Sequence, residues 1–409
     1  MSKFDGLGVF PGTDNYDFFI ARKRELYTRE NDMRSPFARD YTRILHSHAY
    51  SRLKHKTQVF FNIENDHICT RMEHVTHVAS VSETIGKELG LNTELIKAIA
   101  IGHDLGHAPF GHQGEAVLNI LRTRYLGKSF WHEQNGLYLV DNIELLKNDQ
   151  DISNNLDLTY AVRDGIISHC GEVDRNGIHP RKELLDLINI RSAGQFEPAT
   201  WEGCVVKIAD KIAYVGRDIE DAKSLHFLSD KDKQELQELA GGVLNTTVIM
   251  FTLIKDICEH SNPQDGIKLS DAVATRLNAI KQFNYDHIYT HPRFEPYHKY
   301  TTLVIEELFN VLLQGYDVRT NSIRWELLQE MSHIYSRLGT QFVKWLAVYC
   351  DEEVIAPEVF DAYNQRRYDN YKVYGKMISR EVYIQAILDF ISGMTDRFAV
   401  EAFEELLKY

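Results

Sequence analysis

Three histidines, an aspartate and a glutamate lie at the end of an apolar run in the segment AIAIGHDLGHAPFGHQGE, residues 98–115. Ten of the eighteen histidines of the chain fall between His46 and His132. A single histidine is usually a surface side chain or a hydrogen-bonded core residue. Histidines concentrated next to carboxylates are harder to explain in that way, so we take this region as the candidate site.

His103 and Asp104 close the apolar helix that this segment predicts, and Gly102 and Gly106 flank them. A carboxylate at the C-terminal end of a helix meets the negative pole of the helix dipole, which is unfavourable unless a cation lies beside it. A metal ion would supply that cation. Imidazole and carboxylate ligands together suit Mn²⁺, Fe²⁺, Co²⁺, Zn²⁺ or, less well, Mg²⁺.

Two further helices offer the ligands that such an ion still needs. His74 lies on the buried face of a predicted helix, because valine and isoleucine side chains follow it at helical spacing. An otherwise apolar helix near 202–222 carries one polar stripe, made of Asp210, Tyr214, Arg217, Asp218 and Asp221. That stripe must face something polar. One metal ion, with positions left open for water or substrate, would be held by His74, His103, Asp104 and Asp210.

The elements that position these residues are helices, and we expect a mainly α fold. Apolar residues repeat at three and four over the segments 70–89, 94–105, 202–222, 231–260, 301–315, 322–348 and 379–407. Long loops are predicted at 126–135, 171–200 and 284–300. No Gly/Ser-rich or Pro-rich linker and no internal repeat divides the chain, so we expect one large α-helical unit over 1–409.

Charge and cysteine content narrow the class of protein. Lys and Arg number 46 against 59 Asp and Glu, a formal charge of −13, which argues against a surface that coats nucleic acid but permits a local basic pocket. The five cysteines form no CxxC pair, and a reducing cytoplasm fits them best. The first residues lack a signal-peptide pattern, and the longest apolar stretch, near 243–254, is too short to span a bilayer. We therefore predict a soluble, cytoplasmic protein with no membrane partner.

The order His74, then His103-Asp104, then Asp210 resembles the HD-domain metal phosphohydrolases, and within them the deoxynucleoside triphosphate triphosphohydrolase (dGTPase-like) family. Similar blocks follow in the family's order: RSPFARDYTRILHSHAYSRLKHKTQVF at 34–60, TRMEHVTHVASVS at 70–82, HDLGHAPFGHQGE at 103–115, ADKIAYVGRDIED at 209–221 and ISGMTDRFAVEAF at 391–403. The resemblance implies an HD helical core over 60–225 that further helices over 226–409 elaborate.

The same resemblance implies a reaction. A dNTP, with dGTP among the substrates, and water would give a deoxynucleoside and intact tripolyphosphate, by attack at the α-phosphorus with one divalent ion per subunit. His112 and Glu115 match the family's catalytic histidine and acidic residue, and His132 matches their partner. His112 would protonate the leaving 5′ oxygen, and Glu115 would orient or activate it. His107 matches the position that touches the α-phosphate.

Substrate-binding residues carry over in the same way. Arg71 and Lys211 match cations for the remaining phosphates, and Arg52 would support them. Tyr214 resembles the tyrosine that packs on the sugar and excludes a 2′ hydroxyl. Gln58 and Asp218 match the groups that bind the 3′ hydroxyl. The family also implies a homo-oligomer, either a tetramer or a hexamer, with a nucleotide or single-stranded DNA as a possible effector.

Three alternative functions remain compatible with the sequence. A dinuclear HD phosphodiesterase or cyclic-nucleotide hydrolase would bind a second ion through His107, His132 or His169. A nucleoside monophosphatase belongs to the same superfamily, but the block around Gln58 and the C-terminal block count against it. A nucleotide sensor or a module that binds single-stranded DNA would keep the metal for structure alone. The acid/base pair His112 and Glu115 argues against pure binding.

Overall fold

The structure is a computed structural model that describes residues 3–27, 31–61, 67–170, 176–242, 245–363 and 367–408. Parts of two predicted segments, 171–175 and 243–244, lie outside the described residues. Within the described ranges there are eighteen α-helices and only five short strands, which confirms the prediction of a mainly α fold. None of the described helices is long and apolar enough to cross a membrane.

The helices follow one another along the whole chain. In order they are α1 (Tyr16–Ile20), α2 (Pro36–Leu45), α3 (His48–Arg52), α4 (Arg71–Leu89), α5 (Thr93–Gly102), α6 (Gly111–Leu126), α7 (His132–Tyr138), α8 (Tyr160–Ser168), α9 (Trp201–Ser224), α10 (Asp230–Leu239), α11 (Thr246–His260), α12 (Asp271–Asn284), α13 (Glu295–Leu313), α14 (Trp325–Ile334), α15 (Ser336–Tyr349), α16 (Pro357–Tyr363), α17 (Arg380–Ser392) and α18 (Asp396–Leu406). The strands are β1 (Leu145–Lys147), β2 (Ile152–Asn155), β3 (Tyr316–Asp317), β4 (Ser322–Ile323) and β5 (Arg367–Asp369).

The chain forms two compact units, each built from three separate segments. The first unit comprises Met1–Leu45, Gln58–Asp104 and Asp157–Glu295. The second unit comprises His46–Thr57, Leu105–Leu156 and Pro296–Tyr409. Each unit therefore collects residues that are far apart in the sequence.

Helix α5 is the centre of the first unit. Its sequence TELIKAIAIG is apolar on nearly every side, so the helix is buried and packs against α2, α4, α8 and α9. Glycines allow the closest approaches: a Cβ at Gly165 of α8 would lie 2.6 Å from the side chain of Ile99, and one at Gly86 of α4 would lie 2.1 Å from Ile96. The C-terminal end of α5 is thereby held inside the unit.

Capping residues decide where the helices around α5 begin. Helix α4 starts at a capping box in which Thr70 accepts from the backbone of Glu73 and Glu73 accepts from the backbone of Thr70. Asn92 caps α5, and Thr200 caps α9. These caps satisfy backbone N–H groups in the first turn and so fix where each helix begins.

The second unit packs helices beside a small sheet. Helix α6 packs against α17, and α15 packs against α14, α16, α17 and α18. In the three-stranded sheet, β1 and β2 are antiparallel with Leu145 opposite Asn155, and β2 and β5 are parallel with Ile152 opposite Arg367. Strands β3 and β4 form a separate antiparallel pair.

The sequence predicts three long helices that the structure divides in two. The segment 231–260 breaks between α10 and α11, where Gly241 and Gly242 adopt positive φ angles. The segment 322–348 breaks at Tyr335, whose ψ of 73° is not helical. The segment 379–407 breaks after Gly393, and Thr395 caps the next helix. Apolar periodicity continues across each break, so the pattern alone did not reveal it.

Two of the predicted loops are partly helical. The stretch 126–135 contains the start of α7, and 284–300 contains a π-helical turn at Tyr285–Tyr289, a 3-10 turn at Pro292–Phe294 and the start of α13. Polar and aromatic residues dominate both stretches and hide the helical spacing of apolar residues.

Candidate active site

His103 is the C-terminal cap of α5 and is fully buried. Its Nδ1 lies 2.6 Å from the carbonyl oxygen of Ala100, and a carbonyl can only accept, so Nδ1 carries the hydrogen. Nε2 therefore points toward the side chains of His74 and Asp210. This buried nitrogen has no hydrogen-bond partner among the described residues.

His74 of α4 and Asp210 of α9 meet His103 inside the first unit. Oδ1 of Asp210 lies 3.1 Å from Nε2 of His74 and 3.6 Å from Nε2 of His103. One donor atom from each of these three residues lies within 4.8 Å of the other two. The consecutive helices α4 and α5 and the distant helix α9 thus bring two imidazoles and one carboxylate to a common point.

Asp104, the fourth predicted ligand, is turned partly away from this group. Its Oδ2 accepts a hydrogen bond from Nη1 of the buried Arg71 at 2.8 Å, and its Oδ1 lies 3.7 Å from Nε2 of His103. Donor atoms of Asp104, His103 and His169 form a second group within 4.8 Å of one another. His103 therefore belongs to both groups.

The protonation states reflect this mixture of acids and imidazoles. Burial alone would lower the pKa of His103, but the carboxylates of Asp104 and Asp210 raise it above its ordinary value. Burial alone would raise the pKa of Asp210, but His103 and His74 hold it well below its ordinary value. The cluster thus favours positive charge beside an ionised carboxylate, as a cation site does.

The residues present fit a divalent metal ion. Two imidazoles and one or two carboxylates are an ordinary ligand set for Mn²⁺, Fe²⁺, Co²⁺ or Zn²⁺. The hydrogen bond from His103 to Ala100 fixes the ring and its tautomer, as the outer partners of metal-bound histidines commonly do. The buried Nε2 of His103 is also explained if it coordinates an ion.

Arg71 lies in the first turn of α4 and offers further donors at this cluster. Its Nε and Nη2 are buried and have no hydrogen-bond partner within the described part of the chain, although Nη1 is paired with Asp104. A buried guanidinium with two unused donors can bind an anion such as a phosphate oxygen.

Asp218 and its neighbours continue the polar stripe of α9. Lys211 and Asp218 are buried, and Tyr214 is half-buried. Oδ2 of Asp218 accepts a hydrogen bond of 2.6 Å from the hydroxyl of Tyr289. Burial raises the pKa of Asp218 to about 6, although the hydrogen bond from Tyr289 opposes this shift. Gln58, also in the first unit, is half-buried, and its Oε1 has no hydrogen-bond partner among the described residues.

A second cluster of ionisable side chains lies within the second unit. Glu115 of α6 accepts a hydrogen bond of 3.0 Å from the backbone of His132, and its Oε2 lies 3.1 Å from Nδ1 of the same residue. The rings of His107 and His132 are stacked with their centres 3.9 Å apart. Nδ1 of His112 lies 3.7 Å from Oε2 of Glu115, and the His112 side chain is 68% exposed.

The charges of this second cluster suit proton transfer. Burial would raise the pKa of Glu115, but His112 and His132 hold it well below its ordinary value. The carboxylate therefore stays ionised and can orient both imidazoles. Because His112 is exposed, its imidazole is able to reach a bound molecule and to give or take a proton.

Close backbone packing positions the histidines of this cluster. A Cβ at Gly106 would lie 2.0 Å from the carbonyl oxygen of His132, so only glycine permits the segment before His107 to lie against α7. Nδ2 of Asn135 donates a hydrogen bond of 2.7 Å to the carbonyl oxygen of Gly106. These contacts account for the glycine that follows the His103-Asp104 pair by two residues.

Arg52 is engaged inside the second unit. Its Nη2 donates to Oε1 of Glu144 at 2.6 Å, and Oε2 of the buried Glu144 accepts from the backbone of Ala49. Glu144 therefore orients the guanidinium. Sequence reasoning did not identify Glu144, and no pattern around it distinguishes it from a surface acid.

Comparison with known proteins agrees with this description. Residues 71–215, which contain all four candidate metal ligands, match the HD domain family, and residues 267–333 match the phosphohydrolase-associated domain family. The helical fold and the His/Asp cluster thus define an HD-domain phosphohydrolase.

Relatives match about three quarters of the chain or more. A deoxyguanosinetriphosphate triphosphohydrolase-like protein of Caldanaerobacter subterraneus subsp. tengcongensis is 30% identical over 394 residues, covering 95% of this chain and 91% of the relative. Proteins with the same description from Desulfatibacillum aliphaticivorans, 35% identical over 74% of this chain and 80% of the relative, and from Clostridium tetani, 32% identical over 77% and 83%, are also similar. The chain belongs to the HD-domain, dGTPase-like triphosphohydrolase family, as the sequence predicted.

Proposed function

We propose that this protein hydrolyses deoxynucleoside triphosphates to a deoxynucleoside and tripolyphosphate, by attack of water at the α-phosphorus. The observation that carries the proposal is the buried Nε2 of His103, which has no hydrogen-bond partner among the described residues and lies beside His74 and Asp210. The relatives are described as dGTP triphosphohydrolase-like proteins, so dGTP is our first candidate substrate.

We assign one divalent ion per subunit to His74, His103, Asp104 and Asp210. When bound, such an ion acts as a Lewis acid that stabilises negative charge on the α-phosphate. The ordinary carboxylate and imidazole chemistry of these residues permits Mn²⁺, Mg²⁺, Fe²⁺, Co²⁺ or Zn²⁺. Arg71 balances the charge of Asp104 and keeps two donors for phosphate oxygens.

The second cluster supplies the proton. When the bond between the α-phosphorus and the 5′ oxygen breaks, the imidazolium of His112 protonates that oxygen, and Glu115 holds the ring in position. His132 holds the carboxylate of Glu115 in position. His107 contacts the α-phosphate.

The remaining assigned residues bind the phosphates and the sugar. Lys211 and Arg52 assist Arg71 with the phosphates. The ring of Tyr214 packs on the deoxyribose and excludes a 2′ hydroxyl, which selects dNTPs over NTPs. The 3′ hydroxyl is bound by Gln58 and Asp218, and the unpartnered Oε1 of Gln58 is suited to accept from it.

The experiment is incubation of the purified protein with Mn²⁺ or Mg²⁺ and each dNTP or NTP separately, with the products separated by chromatography. Deoxynucleoside and tripolyphosphate in equal amounts, from dNTPs only, support the proposal. Pyrophosphate, single phosphate or no turnover with every substrate and metal would refute it.

A dinuclear phosphodiesterase is the second candidate function. The overlapping group His103, Asp104 and His169 favours it, because those residues could hold another ion. Metal content separates the two candidates: we expect one ion per chain, whereas the dinuclear alternative requires two, together with hydrolysis of a phosphodiester.

Assembly, regulation and location are also proposals. By family resemblance we expect a cytoplasmic homo-oligomer, a tetramer or a hexamer, that a nucleotide or single-stranded DNA can influence. Light scattering of the purified protein, alone and with each candidate effector, tests the assembly state. Turnover measured in the same mixtures tests the effector.

A further inference from the structure

The backbone adopts an unusual conformation directly before the helix that carries His112 and Glu115. Phe110 has a φ of 66° and Gly111 a φ of 59°. The left-handed region is unfavourable for a bulky aromatic residue, although glycine accepts it readily. The surrounding structure must therefore hold Phe110 in this conformation.

Three side chains of the second unit hold the backbone here. The amide of Phe110 donates to Oδ1 of Asp396 at 2.7 Å, and its carbonyl oxygen accepts from the hydroxyl of Tyr297 at 2.9 Å. The ammonium group of Lys56 donates to the carbonyl oxygen of His107. Both backbone groups of Phe110 are thus bound by side chains from the C-terminal part of the chain.

Asp396 joins this turn to a second segment. Its Oδ2 accepts two hydrogen bonds from Thr57, from the backbone amide at 2.9 Å and from the hydroxyl at 2.8 Å. Asp396 is only 4% exposed, and both of its carboxylate oxygens accept hydrogen bonds. Burying a carboxylate is costly, so these bonds need to offset a substantial desolvation penalty.

Stabilising its own helix does not explain this arrangement. Asp396 is the first residue of α18, but Thr395 is the cap, and the Thr395 hydroxyl accepts from the amide of Phe398. The carboxylate of Asp396 is instead directed at Thr57 and Phe110. Through Asp396, the Met-Thr-Asp-Arg motif at 394–397 therefore holds the backbone directly before the first turn of α6.

We propose that Asp396 is a positioning residue for the pair His112 and Glu115. It acts through the backbone of Phe110 and touches no substrate. The inference relies on the proposed function for the role of that pair, but the restraint itself is a property of the fold. Loss of the restraint lets the first turn of α6 shift, and a misplacement of about 1 Å can lower turnover about a hundredfold.

The test compares Asp396→Asn with Asp389→Asn. Both changes replace a buried carboxylate of the second unit with an amide of nearly the same size. Asp389 binds Gln385, Tyr374 and Tyr138 instead of the turn. For Asp396→Asn we expect kcat to fall roughly ten- to a hundredfold, with KM changed less than about threefold and metal content unchanged. For Asp389→Asn we expect kcat to stay within about twofold of the unchanged protein.

Hydrogen exchange of the peptide that contains Phe110–Glu115, measured without substrate, keeps this test separate from the proposed function. Faster exchange there in Asp396→Asn but not in Asp389→Asn supports the restraint, even if no dNTP is hydrolysed. Unchanged exchange together with unchanged kcat would overturn the inference.

A milder pair of variants covers the case in which Asp396→Asn does not fold. Thr57→Val removes one donor to Asp396 and should lower kcat about threefold, whereas Thr57→Ser keeps the hydroxyl and should restore it. Equal kcat in Thr57→Val and Thr57→Ser, with equal exchange at Phe110–Glu115, would also overturn the inference.

Discussion

The imidazole of His103 donates its Nδ1–H to the carbonyl oxygen of Ala100, 2.6 Å away and one helical turn earlier in the chain. This bond fixes the tautomer and directs Nε2 at the His74 and Asp210 side chains. The end of an apolar helix thus presents one defined nitrogen to the His74 and Asp210 side chains. The arrangement predicts that metal binding and proton transfer can be removed separately.

Asp210→Ala should lose both metal and turnover, because the carboxylate that faces His74 and His103 is gone. His112→Ala should keep the metal but lose turnover by roughly a hundred- to ten-thousandfold, the usual contribution of a general acid. Metal content by mass spectrometry and binding by calorimetry measure the first effect, and steady-state kinetics measure the second. Equal metal loss in the two variants would remove the role assigned to His112.

A second prediction concerns Arg71. Its Nη1 is paired with Asp104, whereas its Nε and Nη2 have no hydrogen-bond partner among the described residues. In the metal-free protein, Arg71→Ala leaves the carboxylate of Asp104 buried without its cation, which should lower the free energy of unfolding by about 3–5 kcal/mol. Arg71→Lys keeps the charge but loses the forked donors, so KM for a dNTP should rise about tenfold with little change in stability. Urea unfolding and steady-state kinetics report the two effects, and an unchanged KM in Arg71→Lys would exclude phosphate binding by this residue.

Tyr289 tests the proposed role of Asp218. Its hydroxyl lowers the pKa of Asp218, which burial has raised to about 6, so Tyr289→Phe should raise that pKa further. The neutral carboxyl accepts a hydroxyl hydrogen less well, so KM for dNTPs should increase a few-fold in Tyr289→Phe, and more at about pH 6.5 than at about pH 8.5. Tyr285→Phe changes an exposed tyrosine of the same turn and is the control. A pH-independent effect would mean that Tyr289 does not act through Asp218.

The raised pKa of Asp389 predicts that the free energy of unfolding depends on pH. Burial raises its pKa from 3.8 to about 6, so between these values the folded state holds a proton that the unfolded state releases. Stability contributed by this group is therefore lost as pH rises through about 6. In urea unfolding, the difference in unfolding free energy between the unchanged protein and Asp389→Asn should fall by about 1 kcal/mol from about pH 5 to about pH 7. A constant difference would contradict the assigned pKa.

Much of the His/Asp cluster could be predicted from the sequence, because its residues are polar where their neighbours are apolar and buried. His103 and Asp104 end an apolar helix, and His74 lies on a buried face, so their chemistry shows in the pattern of neighbours. The pattern did not reveal that Asp104 pairs with Arg71 or lies beside His169, since those contacts depend on packing.

The positioning contacts could not be predicted for the same reason. The bond between Tyr289 and Asp218 joins residues 71 positions apart, and that between Phe110 and Asp396 joins residues 286 positions apart. No rule based on residue spacing relates positions so far apart in the chain. The Met-Thr-Asp-Arg motif was visible in the sequence, but its connection to the turn at Phe110 required the fold.

The most direct test of the proposed reaction is to identify which bond of the substrate breaks. Hydrolysis of dGTP with Mn²⁺ in water labelled with ¹⁸O should place the label on the end of the tripolyphosphate that was the α-phosphate, and deoxyguanosine should carry none. Label in deoxyguanosine, or deoxyguanosine monophosphate and pyrophosphate as products, would contradict attack at the α-phosphorus with release of the 5′ oxygen.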